Sequence, residues 1–260
     1  MTSLLTNASA MTALQTLSNT NKNLGVTQGR IATGQRVATA SDNAAYWSIA
    51  TSMRTQTGAL SAVQDALGLG AAILDTASSA LEEAIDKTKE IVNKYVARAT
   101  PGTDTAAIDA EITQLKAQVV SIAKNADFQG VNMLETGGSA AAIVTGYQPG
   151  AAPTTMSVAA YDLEAALSAA TDATTVDTAL KAMQSAAATI GAAKTRVDSQ
   201  KSFTSKLIDS IDRGVGQLVD ADMNKESARL AALQTQQQLG IQALSIANSS
   251  SQSLLSLFRG

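Results

Sequence analysis

Histidine and cysteine are absent from this 260-residue chain, aromatic residues make up 3% of it and prolines number three. Without His or Cys the usual catalytic triads, zinc clusters and haem ligands are excluded, apart from rarer carboxylate, Lys or Thr variants. There is no disulfide framework and no thiolate chemistry, so the chain suits either redox compartment. Scarce aromatics leave few large anchors for a ligand pocket, and nothing in the sequence calls for a cofactor. A formal charge of -3 and a pI near 5.0 give no basic footprint, so nucleic acid is not an expected partner. The opening MTSLLTNASAMTAL has neither a basic n-region nor a continuous apolar core. It does not read as a secretory signal, and a protein working outside the cell would leave by another route.

Charge is missing locally as well. From Thr2 to Asn21, and again from Ala231 to Phe258, no Asp, Glu, Lys or Arg occurs, although leucines recur at helical spacing. A half-apolar helix without charge is poorly solvated and self-associates readily, so both ends read as assembly surfaces. The second end is not a membrane span, because Gln234, Gln236, Gln237, Gln238, Gln242 and Asn248 make it too polar for hydrocarbon.

Between these ends the pattern is helical. Tyr46, Met53, Leu60, Leu67, Leu74, Leu81, Thr88 and Tyr95 fall seven apart, with Ile49, Val63, Ala77, Ala84 and Ile91 in the second seam position. Such a register predicts one helix of roughly 75 Å, a rod. Gly70, Ala77 and Ala84 are small enough to let a neighbouring helix approach closely. Ser41 and Asp42 offer the N-cap, and Pro101-Gly102 ends the helix in a turn. A second helix reads from Asp104 to Asn125, with Ile108, Ile112, Leu115, Val119 and Ile122 as its stripe. From Phe128 to Ala170 the period is lost, and two short runs flanking GYQPGAA predict one small β-hairpin. Helix resumes near Asp172 with Val176, Met183, Ile190, Val197, Thr204, Ile211 and Leu218 seven apart. The phase slips between Gly214 and Asp222, which predicts a joint before the last helix.

The expected fold is therefore mainly α: long antiparallel coiled-coil-like rods from the two halves of the chain, elongated, with one small β-hairpin insert. Five segments follow: an N-terminal helix and spacer (1–40), an N-terminal rod (41–127), the insert (128–171), a C-terminal rod helix (172–219) and a C-terminal helix (220–260). Tyr46, Met53, Leu60, Leu67, Leu74, Leu81, Met183, Ile190, Val197, Ile211 and Leu218 are the expected rod core. Leu4, Leu5, Met11, Leu14, Leu17, Leu24, Leu230, Leu233, Leu244, Leu254, Leu257 and Phe258 are the expected contacts between subunits. Two carboxylate pairs, Glu82 with Glu83 and Asp220 with Asp222, read as a solvated face and as a cap for the helix starting near Met223. Gly68-Leu-Gly70 and Gly214-Val-Gly216 neither follow a strand nor complete a nucleotide-binding pattern. No metal site and no enzyme activity is expected.

Several stretches resemble bacterial flagellin: Ser3-Leu-Leu-Thr-Asn-Ala-Ser-Ala-Met11 with the Leu14, Leu17, Leu24 stripe; Arg30-Ile-Ala-Thr-Gly-Gln-Arg-Val37; Ala40-Ser-Asp-Asn-Ala-Ala45; Ala110-Glu-Ile-Thr-Gln114; Phe128-Gln-Gly-Val-Asn132; and Asn248 through Arg259. The resemblance implies terminal helices lining the inner tube of an extracellular flagellar filament, surrounded by the rods. It implies motility as the role, type III export as an unfolded chain, a chaperone on the C-terminal helix, and contacts with filament cap and hook-junction proteins; no membrane partner is implied. A hook–filament junction protein is the alternative. An insert of about 45 residues has room only for a hairpin and its loops. Flagellins sensed by the vertebrate innate receptor carry a segment like QRVRELAVQ, where this chain has Lys89-Glu-Ile-Val-Asn-Lys-Tyr-Val-Ala97. Glu90 replaces a basic residue, Lys94 a leucine and Ala97 a glutamine, while Glu111 matches; the reversed charge and lost apolar anchor imply weakened recognition.

Overall fold

The computed structural model describes residues 7–259, with side chains for residues 7–249. The chain is mainly helical: α1 (Ala8–Thr33), α2 (Ala44–Arg98), α3 (Thr105–Asn125), α4 (Leu163–Ser168), α5 (Ala173–Val219) and α6 (Met223–Arg259). Four short strands, β1 (Asp127–Phe128), β2 (Val131–Asn132), β3 (Ala141–Gly146) and β4 (Thr154–Val158), lie between α3 and α4. They form two separate antiparallel pairs, β1 with β2 and β3 with β4. The expected hairpin is the second; β1–β2 and the short α4 are additional, and their two-residue and six-residue lengths hide them from a periodicity reading.

Helix boundaries follow local chemistry. Asp104 caps α3 by accepting from the amides of Ala106 and Ala107. At α5 the cap is reciprocal: Thr175 N–H donates to Asp172 Oδ1 at 2.8 Å, and Asp172 N–H donates to Thr175 Oγ1 at 3.0 Å. The cap of α2 differs from expectation. Asn43 accepts from the Tyr46 amide, because the Asp42 carboxylate is committed to a turn in which it accepts from the backbone of Ala38 and Thr39 and from the Thr39 hydroxyl. The joint lies where the phase slip put it, with α5 ending at Val219 and Asp222 accepting from Asn224 and Lys225 to start α6.

The chain divides into two compact units, Thr55–Ile211 and Met1–Arg54 with Asp212–Gly260. The first holds the main core. Leu60, Leu67, Leu74 and Leu81 on α2, and Met183, Ile190 and Val197 on α5, are all buried. Antiparallel pairing of α2 with α5 is fixed by the Lys194–Asp75 ion pair and by the buried Thr88 hydroxyl, which donates to Ala84 O and lies 3.5 Å from Met183 Sδ. α3 folds back antiparallel on the end of α2 through the ion pairs Lys94–Glu111 (2.5 Å) and Arg98–Asp109 (3.0 Å), with Ile112 and Val119 buried beneath. α2 is long and apolar enough to cross a membrane by composition, with a mean hydropathy of 1.3 over its most apolar stretch. Leu60, Leu67, Leu74 and Leu81 are occupied in this core, whereas Leu69 is 51% exposed.

Gly70 does not receive a neighbouring helix. Ile143 of β3 sits over it, so that a Cβ at position 70 would stand 2.5 Å from Ile143 Cγ2. The hairpin is held on its other side by Gln200 of α5, whose Nε2 donates to Thr145 O at 2.8 Å. Asn132, also buried, joins α3 to the insert: its Nδ2 donates to Ala123 O, and its Oδ1 accepts from the amides of Leu134 and Glu135.

Candidate assembly surface

In the second unit α1 and α6 run antiparallel. Asn7 Nδ2 donates to Ala247 O at 2.9 Å, Gln237 Nε2 donates to Asn21 Oδ1 at 2.8 Å, and Arg30 pairs with Glu226 at 3.4 Å. Leu17 Cδ1 stands 3.3 Å from where a Cβ on Gly240 would lie. The seam is mixed. Thr20, Thr27 and Leu233 are buried in it, and Leu17, Leu24, Leu230 and Leu244 are half-buried. Neutral amides and hydroxyls line such a seam at lower desolvation cost than charges.

The stretch Arg30–Val37 now has a physical account. Gly34 ends α1 at φ 68°, the left-handed conformation a glycine adopts without penalty. Its carbonyl accepts from Ala221 N–H at 2.9 Å, while Arg36 N–H donates to Val219 O at 2.6 Å and the Arg36 guanidinium donates to Leu218 O. This segment thereby satisfies carbonyls left over at the end of α5. Val37 is buried, and the Arg36 guanidinium stacks over Tyr46, 5.7 Å from the ring centroid.

The expected subunit contacts divide into two sets. Leu17, Leu24, Leu230, Leu233 and Leu244 are covered by the chain's own α1–α6 pairing, whereas Met11 and Leu14 stand outward, 65% and 58% exposed. Leu239, Ile241 and Ile246 are exposed at 58%, 54% and 68% and join the outward set, with Val26. Leu239 and Ile246 lie seven apart, a signal in the sequence, but off the register that runs through Leu230 and Leu244. Leu4 and Leu5 lie outside the described residues, as do the side chains of Leu254, Leu257 and Phe258. A shallow groove lies along α1, lined by Leu14, Leu17, Ser18, Asn21 and Lys22.

Ile211, the last residue of the main-core unit, is buried; of the rod residues in this unit Met53 and Leu218 are half-buried, but Tyr46 is 38% exposed. Tyr46 and Trp47 share a helix face with the buried Ala50, one turn on, so it is their place in the first turn of α2, and not the phase of the helix, that leaves them exposed along with Ile49. In the other unit the receptor-like segment is laid out on the surface. Glu90 accepts from Lys87 at 3.1 Å, Lys94 is paired with Glu111, and Ala97 is exposed. Glu82 and Glu83 are exposed, and Asp220 bridges to Gln35 beside the Asp222 cap. Among the described residues no three acidic side chains converge as a metal site.

Paired long helices, with a seam of leucines and neutral polar groups joined by one Arg30–Glu226 ion pair, define a structural protein of the coiled-coil class. Sequence comparison gives the particular family. The bacterial flagellin N-terminal helical region matches residues 4–138, and the bacterial flagellin C-terminal helical region matches residues 173–258. A flagellin of Brucella melitensis biotype 1 is 51% identical over 282 aligned residues, and flagellin C of Rhizobium meliloti is 44% identical over 320, each alignment covering 100% of both chains. The crystal structure of Bacillus cereus flagellin superposes with a TM-score of 0.38 and 18% identity, over 64% of this chain and 94% of that one. The chain belongs to the bacterial flagellin family.

Proposed function

We propose that this chain is the repeating subunit of an extracellular flagellar filament and serves motility as a structural protein rather than an enzyme. The observation that carries the reading is the exposed, charge-free apolar exterior of the α1–α6 pair, at Met11, Leu14, Leu239, Ile241 and Ile246. Each such side chain contributes about 1.5–3 kcal/mol when fully buried, so a handful of them repeated at every subunit suffices for a polymer. The terminal helices pair within each chain and then pack against other copies as the inner tube.

We further propose export as an unfolded chain through a type III channel, with a chaperone covering α6 to keep its apolar exterior from associating early. Filament cap and hook-junction proteins meet the same exterior at the two ends of the polymer. Electron microscopy of purified protein, seeded with short filament fragments, tests the reading: long tubular filaments are expected, and a chain that stays monomeric at every concentration overturns it.

A further inference from the structure

Among the described residues the methionines differ in exposure between the two units. Met133, Met156 and Met183 are buried in the main core, while Met11 and Met223, in the unit containing α1 and α6, are 65% and 44% exposed. Met53 is half-buried, with its Cε 3.0 Å from where a Cβ on Gly214 would lie. Met11 is the more exposed of the two, and it sits one turn before the exposed Leu14 on a stretch of α1 that carries no charged side chain until Lys22.

A thioether reacts with peroxides according to its exposure. A sulfur lone pair attacks one peroxide oxygen, the O–O bond breaks, an S–O bond forms, and the leaving hydroxide is protonated to water. Sulfur is oxidised by two electrons and the peroxide is reduced. The product replaces a flexible apolar side chain with a polar one whose oxygen is a strong hydrogen-bond acceptor. Buried without a donor, that oxygen is costly. On α1 the hydroxyls of Thr12 and Thr16 already donate to the helix carbonyls of Ala8 and Thr12, and the side-chain amide of Gln15, one turn on, is the donor within reach of position 11.

We propose that Met11 is a modification site for peroxide, and that its sulfoxide blocks incorporation of the free chain into polymer. The inference rests on the assembly reading above. It also fixes the timing: the thioether is open to oxidant in the free chain and is covered once neighbouring copies pack on α1.

The test uses the full-length chain treated with hydrogen peroxide, with sulfoxide quantified at each methionine by peptide mass spectrometry and elongation followed on seeds. Sulfoxide forms at Met11 and Met223 about tenfold or more faster than at Met133, Met156 and Met183, and assembled protein protects Met11. Elongation falls by about tenfold when Met11 is oxidised, and methionine sulfoxide reductase restores it. Met11→Leu, whatever its own starting rate, elongates equally with and without peroxide, whereas Met223→Leu stays sensitive. Fully oxidised Met11 in a chain that elongates at the untreated rate overturns the proposal, as does a Met11→Leu chain that peroxide still inhibits. An untreated chain that never elongates overturns the assembly reading and this inference together, while selective oxidation with normal elongation overturns this inference alone.

Discussion

Leu17 fills the space over Gly240: its Cδ1 and Cβ would lie 3.3 Å and 3.9 Å from a Cβ built on that glycine. The consequence for substitution depends on size. Gly240→Ala gains about 1 kcal/mol of helix propensity and asks the end of one leucine side chain to move by a few tenths of an ångström, so α6 is expected to be stabilised or unchanged. Gly240→Leu has no such room and is expected to push α1 off α6. Circular dichroism melts and hydrogen exchange over residues 8–33 distinguish the two, and equal behaviour of both variants would refute the close approach.

Leu14 and Ile246 face outward while Leu244 is half-buried in the chain's own seam, which separates folding from assembly. Leu14→Glu and Ile246→Glu are expected to leave the melting of the main core unchanged and to raise the concentration needed for polymerisation at least about tenfold, since each 1.4 kcal/mol lost per subunit is a factor of ten. Leu244→Glu is expected to abolish polymerisation as well, but by opening the α1–α6 pair, so it alone speeds exchange at the amides of α1. Sedimentation and exchange on the three variants check this, and filaments formed normally by Leu14→Glu would contradict the outward assignment.

Asn132 concentrates several hydrogen bonds in one buried side chain, linking the last turn of α3 to the loop that leads into β3. Asn132→Ala leaves the buried Leu134 amide without its 2.9 Å acceptor and is expected to cost about 2–4 kcal/mol, the sum of lost bonds and an unsatisfied donor. Asn132→Asp keeps the acceptor but turns an oxygen toward Ala123 O, so it should not restore the stability. Urea unfolding of both variants gives the comparison.

What could be read in advance depended on the length over which a pattern repeats. The α2 register is stated eight times between Tyr46 and Tyr95, and its buried leucines are those that the heptads mark. α3 and α5 also begin beside Asp104 and Asp172, where the sequence reading starts those helices, and there each of the two is the cap. Signals carried by only a few residues were weaker. Asn43 takes the cap from Asp42 because the latter closes a turn, a competition between two adjacent side chains that spacing does not reveal. Tyr46 continues the heptad and shares its face with the buried Ala50, yet it stands in the first turn of α2 and is 38% exposed, which spacing does not reveal. At the termini the absence of charge marks a candidate surface, yet it could not sort Leu14 from Leu17, because inward and outward faces of α1 are equally neutral there.

Gly70 is a position where close approach, not backbone conformation, requires glycine. A methyl group there meets Ile143 Cγ2 at 2.5 Å, and a β-branched side chain held in a hairpin cannot swing away as a flexible one can. Gly70→Ala is therefore expected to destabilise by about 1–3 kcal/mol despite its better helix propensity. The double variant Gly70→Ala, Ile143→Ala removes all three carbons that the added methyl meets and is expected to cost less than the sum of the two single variants. Thermal melts of the single and double variants decide it, and a neutral Gly70→Ala would show that the hairpin shifts freely.

Asp172 gives the start of α5 a dependence on acid. Hydrogen bonds from the Thr175 amide and, next, the Thr175 hydroxyl hold its carboxyl below the ordinary carboxylate value, and only the ionised form accepts both fully. A group whose folded pKa is depressed adds stability that is complete above its unfolded value of about 3.9 and is lost as pH falls through the folded value. The α5 cap is thus expected to be intact at pH 6 and to weaken progressively below about pH 4, as is the Asp42 turn, whose carboxyl is lowered first by the Thr39 amide. Asp172→Asn retains a good neutral cap and has no proton to gain. Any advantage in melting temperature of the parent chain over Asp172→Asn should therefore shrink between pH 6 and pH 2, and a gap that stays constant over that range would show that ionisation of Asp172 does not stabilise the helix.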